Sequence, residues 1–311
     1  MAYLLSILSA MAWVGVFITA SIAAAWVFRA LLIAAGRGEF AKLMRCAPLS
    51  ASFGMLIILI YIVIALMAPV IAPFPEREIV GQQYLPWDSE FLLGTDNLGR
   101  DMLSRLIYGA RNSVGIALIT TFITFLLGTS FGLIAATVGG WLDQIISRIV
   151  DMLIAIPALI FALLLLTILG TSVVNVIIVI SLIESTRVFR LARAVSINIV
   201  VMDYVEVARL RGDGLFRLIR KEILPNAAAP LVAEFGLRFC FVFLAVSALS
   251  FLGLGIQPPT ADWGSMVRDN AALITFGDVT PLLPAGAIAL LTVAVNLVVD
   301  WMLHRSSGLK E

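Results

Sequence analysis

Charge is scarce in this chain. Asp, Glu, Lys and Arg together make up 13% of its 311 residues, and the formal net charge is +1. Soluble domains carry about 25% charged residues, so a surface wetted on all sides is excluded. Metal ligands are scarcer still. The single histidine, His304, stands near the C-terminus and reads as a solvated or interfacial residue. Cys46 and Cys240, the only cysteines, lie far apart and form no CxxC, which gives neither a redox nor a zinc signature. Lysine occurs only at Lys42, Lys221 and Lys310, followed by Leu, Glu and Glu. A Walker-type phosphate loop ends in Lys followed by Ser or Thr, so this chain supplies no such loop. There is no Ser/His/Asp set, no metal cluster and no cofactor loop, hence no catalytic and no metal-binding candidate. The net charge of +1 by itself says nothing about a nucleic-acid partner, and none is expected.

Apolar sequence fills the space that charge leaves. Hydrophobic residues make up 61% of the chain, and runs of twenty or so recur, each long enough to cross a bilayer as a helix. An all-α integral membrane protein follows, a polytopic helix bundle in contact with lipid. Breakers between the runs delimit seven spans, roughly 4–28, 53–73, 113–138, 150–169, 172–194, 228–252 and 281–304. The first has no Lys or Arg before Arg29 and is too long for a signal-peptide core, so it reads as a retained helix.

Most of the 21 basic residues fall in alternate connections: 29–52, 139–149, 187–227 and the C-terminal tail. The other connections dilute Arg77, Arg100, Arg105, Arg111 and Arg268 with acids. By the positive-inside bias, the N-terminus lies outside, the C-terminus inside, and the block 203–226, "DYVEVARLRGDGLFRLIRKEILPN", faces the cytoplasm. Were this block to cross the membrane, its five basic residues would cost more than about 10 kcal/mol.

The block has the pattern of two short helices. Val205 and Ala208 alternate at helical spacing with Glu206, Arg209 and Arg211. "GDG" at 212–214 breaks the first helix, because glycine accepts turn conformations. In the second, Leu215, Leu218 and Ile219 take one side and Arg217, Arg220 and Lys221 the other, and Pro225 should end it. An amphipathic connector resting on anionic lipid and a helix-turn-helix seated in a partner's groove fit this pattern equally well.

The block resembles the EAA loop of binding-protein-dependent ABC importer permeases, E-A-A-x3-G-x9-I-x-L-P. Glu206, Val207, Ala208 and Gly212 match its first half, and Leu224 and Pro225 close it at the expected distance. Val207 replaces the first alanine, and Glu222 stands where isoleucine is usual. "LLGTDNLGRDMLSRLIYGAR" (92–111), "GGWLDQIISRIVDMLIAIPAL" (139–159) and "ALSFLGLGIQPPTADWGSM" (248–266) extend the likeness over about residues 50–303, within the dipeptide/oligopeptide/nickel subfamily and most like its second permease subunit. Residues 1–49, an extra helix with a cytoplasmic connector, lie outside it. Val299 before Asp300, where glycine is common, is a further departure.

The resemblance implies a type I ABC importer permease domain over 50–311, with six core spans preceded by one extra N-terminal helix, in the inner membrane of a bacterium or archaeon. It implies partners: a second homologous permease, two cytoplasmic ATP-binding cassette subunits that bind ATP and Mg, and an extracytoplasmic solute-binding protein. This chain would hold no cofactor of its own. It implies that Tyr204, Glu206, Ala208, Arg209, Gly212, Asp213, Leu224 and Pro225 belong to the ATPase-coupling element. The solute stays open among dipeptides, longer peptides, nickel complexes, opines and small glycans. An ion-coupled secondary transporter is the competing class, although no inverted repeat is evident.

Outside the block, Asp96 is expected to cap an interfacial helix with Arg100, Asp101 and Arg105 toward water and Leu103, Leu106 and Ile107 toward the membrane. That helix would brace the bundle or, with Asp96, Arg100, Asp101 and Trp263, form part of the binding-protein docking surface. Trp263 suits an interface. Glu234 and Arg238, four apart, form an ion pair or line the translocation path. Glu184 is expected to pair with Arg187. Pro157 should kink the fourth span, and Gly128 and Gly132 should let helices approach closely.

Overall fold

The computed structural model describes residues 2–306, and among them the chain is helical, without a strand. It divides into two compact units, residues 1–62 with 290–311, and residues 63–289.

The first unit contains α1 (Ala2–Ala35), α2 (Glu39–Arg45), the start of α3 (Leu49–Ile71) and the end of α12 (Leu282–Ser306). The span expected over 4–28 lies inside α1. Arg29 in α1 donates to the carbonyl oxygens of Met44 and Arg45, satisfying the end of α2. Gly54 of α3 lies against the backbone of Ala294 and the side chain of Val298 in α12, an approach only a residue without a side chain permits.

The second unit carries the other spans. α4 (Met102–Val138) and α7 (Val173–Val200) pack along one another, with α10 (Leu224–Phe251) against both. The close approach of α4 and α7 occurs at the expected glycines. A side chain on Gly128 would meet the Ser185 carbonyl and Val188 at 2.6 Å, and one on Gly132 would meet Ala192 and the Phe189 carbonyl at 2.8 Å.

Three boundaries differ from expectation. The interfacial helix and the third span are one helix, α4, 37 residues long or about 55 Å. A crossing needs about 20 residues, so its first turns continue past the apolar stretch. The fourth span is broken: α5 (Gly140–Ile154) and α6 (Ala158–Leu169) meet at 89°. Pro157 begins α6 and has no N–H to continue α5. With 12 residues, α6 is about 18 Å long, short of the roughly 30 Å hydrocarbon core. The apolar residues Trp141, Ile145, Ile149 and Met152 of α5 are all exposed, a stripe suited to the membrane interface. Finally, Pro225 does not end a helix. A π-helical turn at Ile219–Ile223, in which Leu224 N donates to the Ile219 carbonyl, leads straight into α10, with Pro225 in the first turn of α10.

α3, α4, α10 with the helical turns before it, and α12 are long and apolar enough to cross a membrane, and the bent pair α5–α6 makes a fifth candidate. α7 has the length, but Glu184, Arg187 and Arg190 fall within its first 18 residues. Of these, Glu184 has a partner on another helix, as described below, while Arg187 and Arg190 are exposed.

Candidate functional site

Between α7 and α10 the chain makes the helix-turn-helix expected from the charged block. α8 (Asp203–Leu210) starts with Asp203 and Glu206 in its first turn, where negative charge complements the helix dipole. It ends in a Schellman motif: Gly212 N donates to the Arg209 carbonyl at 2.9 Å and Asp213 N to the Ala208 carbonyl at 3.2 Å. Gly212 carries the required left-handed conformation, φ +80°. α9 (Leu215–Leu218) follows and runs through the π-turn into α10.

The turn is anchored from inside. Val205, Ala208, Leu218 and Ile223 are buried in one cluster with Leu133 of α4, Ala192 and Ile199 of α7, and Ala227 and Leu231 of α10. Arg209 donates to the carbonyl of Thr137, the penultimate residue of α4, at 3.2 Å. Ala208 is therefore packed inward, and a partner cannot touch it. Outward, the turn presents Tyr204, Glu206, Val207, Arg209, Leu210, Leu215, Phe216, Leu224 and Pro225. Leu210 is 82% exposed and Phe216 75%. Leu215, expected on the same side as Leu218, is exposed while Leu218 is buried.

Asp213 organises the rim. It accepts from Arg217 at 2.9 Å and lies 3.5 Å from Arg211, which lies 3.8 Å from Glu222. The Arg217 guanidinium holds the Asp213 carboxyl below its usual range. A carboxyl depressed in the folded turn stabilises it above the ordinary Asp value and ceases to do so as pH falls through the folded value. The turn should thus be insensitive to pH between about 5 and 8 and loosen only below about pH 4. Amide exchange at Gly212–Leu215 against pH checks this; a transition near pH 6 would contradict it.

The expected docking residues on the other side are buried. Asp96, Arg100, Asp101 and Trp263 are each no more than 3% exposed, so they present no surface in this conformation. Asp101, not Asp96, caps α4, accepting from Ser104 N at 2.7 Å. Asp96 accepts from Leu98 N and Arg100 N and from the Arg100 side chain, and Arg105 Nε lies 3.2 Å from the same carboxylate. Arg105 does not face water either. It also donates to the carbonyl of Pro259 at 3.3 Å. These charges are drawn inside because the loops 72–101 and 252–262 close over the start of α4, where Glu76 accepts from both Asn112 and Ala261 N. Asp262 accepts from Ser113 at 2.8 Å and caps α11 (Trp263–Asn270) through Ser265 N at 3.0 Å; burial pushes its carboxyl above the ordinary range. Trp263 is a core residue rather than an interfacial one. Its indole donates to the Leu106 carbonyl at 2.9 Å and meets the Phe243 ring edge-on.

In the bundle, Glu234 and Arg238 do pair, with Arg238 Nε 3.1 Å from Glu234. A partner from another helix completes the group. Arg238 Nη1 donates to Glu184 of α7 at 2.8 Å, while Arg187, the expected partner of Glu184, lies 4.0 Å away. Asp143 and Arg193 likewise join α5 to α7 at 2.6 Å. Neither interhelical pair has a signal in local sequence, since each joins residues about fifty apart.

Residues 128–307 match the family described as binding-protein-dependent transport system inner membrane component. The chain is 38% identical over 254 residues to the di/tripeptide transport system permease protein DppC of Pseudomonas aeruginosa, covering 79% of this chain and 84% of the relative. To the dipeptide transport system permease protein DppC of Haemophilus influenzae it is 36% identical, covering 80% and 87%. Among solved structures, an amino acid ABC transporter with histidines matches at 18% identity and a TM-score of 0.49, covering 65% of this chain and 94% of that one. The match spans the turn at 203–226, the anchoring cluster and the spans on either side of it, and the chain belongs to the family of binding-protein-dependent transport system inner membrane components.

Proposed function

We propose that the chain is one membrane-spanning half of an ATP-driven importer of peptides or similar small solutes, and that residues 203–226 are where a cytoplasmic ATPase grips it. Family membership sets aside the ion-coupled secondary transporter. The single observation that carries the coupling role is the outward face of the turn. Tyr204, Val207, Leu210, Leu215 and Phe216 are exposed among arginines on an element whose inner face is anchored to three long helices. A helix face of this kind suits a groove in a protein partner, and a rigid anchor is what transmits force to the bundle.

The partners are a second homologous permease, two ATP-binding cassette subunits, and an extracytoplasmic binding protein that delivers the solute. ATP and Mg belong to the cassettes, and this chain hydrolyses no ATP. Closure of the cassette dimer would displace the turn, and with it α7 and α10, exchanging inward- and outward-facing arrangements of a two-state bundle. The substrate class rests on the relatives named for di- and tripeptides.

Gly212→Val tests this reading. The left-handed conformation costs a residue with a side chain about 1–2 kcal/mol, although the surrounding space is open. We expect the variant to insert and assemble while ATP-driven uptake of radiolabelled dialanine falls by about tenfold, as about 1.4 kcal/mol of misalignment would give. Uptake at the parent rate would refute the coupling role of the turn.

A further inference from the structure

We infer that Glu184 and Arg238 form a lock that makes α7 and α10 move as one lever. The inference rests on the coupling role proposed for 203–226. The turn hangs from two arms: α7 enters it after Val200, and α10 leaves it at Leu224. Its hydrophobic cluster joins the arms beside the turn, reaching Ala192 on α7 and Leu231 on α10. Glu184 lies about 24 Å up α7 from the turn, and Arg238 about 21 Å up α10. There the two side chains meet at 2.8 Å, each less than a tenth exposed. A displacement at the turn would be dissipated if the arms slid past one another above the cluster. A buried ion pair resists sliding, because separating it breaks the 2.8 Å contact and leaves Glu184 with only Arg187 at 4.0 Å in a medium that solvates charge poorly.

The remaining charges set the orientation of the pair. Glu234, on the same helix as Arg238, accepts from its Nε and Nη2 and so fixes the guanidinium fork. The Phe241 ring lies 5.2 Å from the guanidinium carbon. Arg187, half exposed, is 4.0 Å from Glu184, so two arginines face two carboxylates and no net charge is buried. Glu184 and Arg238 are thus positioning residues for transport. Glu234 orients the arginine but does not join the helices.

The test is dialanine uptake per ATP hydrolysed by the assembled importer in liposomes, a ratio from which the amount of folded protein cancels. Glu184→Gln and Arg238→Gln should each lower the ratio about tenfold, within the range of coupling measured between contacting residues. The double reversal Glu184→Arg with Arg238→Glu should restore it to within about threefold, because the new arginine on α7 again faces two carboxylates on α10. Glu234→Gln should lower the ratio less than Glu184→Gln does, since the bond it weakens lies within one helix. Where a neutral variant does not assemble, Arg238→Lys serves in its place. Lysine keeps the charge but cannot fork onto two carboxylates, and the ratio should fall by about threefold.

Three outcomes would overturn the lock: uptake and hydrolysis falling in proportion, no recovery in the double variant, or Glu234→Gln matching Glu184→Gln through a raised KM for dialanine. The last would make the carboxylate a substrate contact. Gly212→Val separates this from failure of the coupling role. If only the lock is wrong, Gly212→Val still lowers the ratio and Glu184→Gln does not; if the coupling role is wrong, Gly212→Val leaves the ratio unchanged.

Discussion

Replacing Gly128 by leucine should keep α4 from seating on α7. A first side-chain carbon there would already stand 2.6 Å from the Ser185 carbonyl and from Val188, and leucine adds three more. Overpacking costs about 1–3 kcal/mol where neighbours can shift. Here one neighbour is backbone within a packed helix, so the upper end applies. We expect poor recovery of assembled complex and, for what is recovered, a thermal transition in mild detergent several degrees lower. Gly115 on the same helix is the control, because nothing lies within 4 Å of a side chain added there. Gly115→Ala should be neutral or stabilise by about 0.5–1 kcal/mol, as for glycine in a helix interior. Equal stability of Gly128→Leu and Gly115→Ala would show that α4 and α7 are not in contact at this point.

Trp263→Ala should be comparably damaging at the other side of the bundle. The indole is 2% exposed and fills the notch left by Gly109 on α4, so close that a side chain on Gly109 would meet it at 2.5 Å. Its ring faces Phe243 of α10 at 6.2 Å. Removing it deletes a large buried surface and leaves a cavity, at about 3–5 kcal/mol. The Leu106 carbonyl also loses its donor. Trp263→Phe, which keeps most of the packing and loses that bond, should cost nearer 1 kcal/mol for the bond plus the smaller ring. The order parent, Phe, Ala in unfolding temperature is the expected result. An Ala variant as stable as the parent would mean that α11 does not pack on α4. Since α11 and the 252–262 loop close over the start of α4 through Ser113, Asp262 and Arg105, the same variant should expose that end of α4 to proteolysis.

The helices were legible because a membrane imposes its length on apolar sequence. Five of the seven expected spans agree with helices to within a few residues at both ends or lie inside them, and Pro157 and the Gly128/Gly132 pair do what backbone chemistry requires of them. The turn at 203–226 was legible for the same local reason: glycine at 212 ends α8 by a motif confined to six residues. Where reading failed, the cause was tertiary. Arg100, Asp101 and Arg105 look like a wet helix face, yet all three are buried under loops that begin elsewhere in the chain. Trp263 has the amphipathic character of an interfacial residue, but a glycine about 150 residues away makes room for it in the core.

By itself, then, the sequence determined which segments can enter a membrane and where the charged turn bends, because each depends on hydropathy or backbone freedom within a few residues. Tertiary structure alone decided which charges are neutralised across helices. Glu184 read locally belongs to Arg187, three residues along the same helix. In the folded chain it belongs to Arg238, because α10 packs on α7 at that level and a shorter, drier contact between opposite charges is the stronger one.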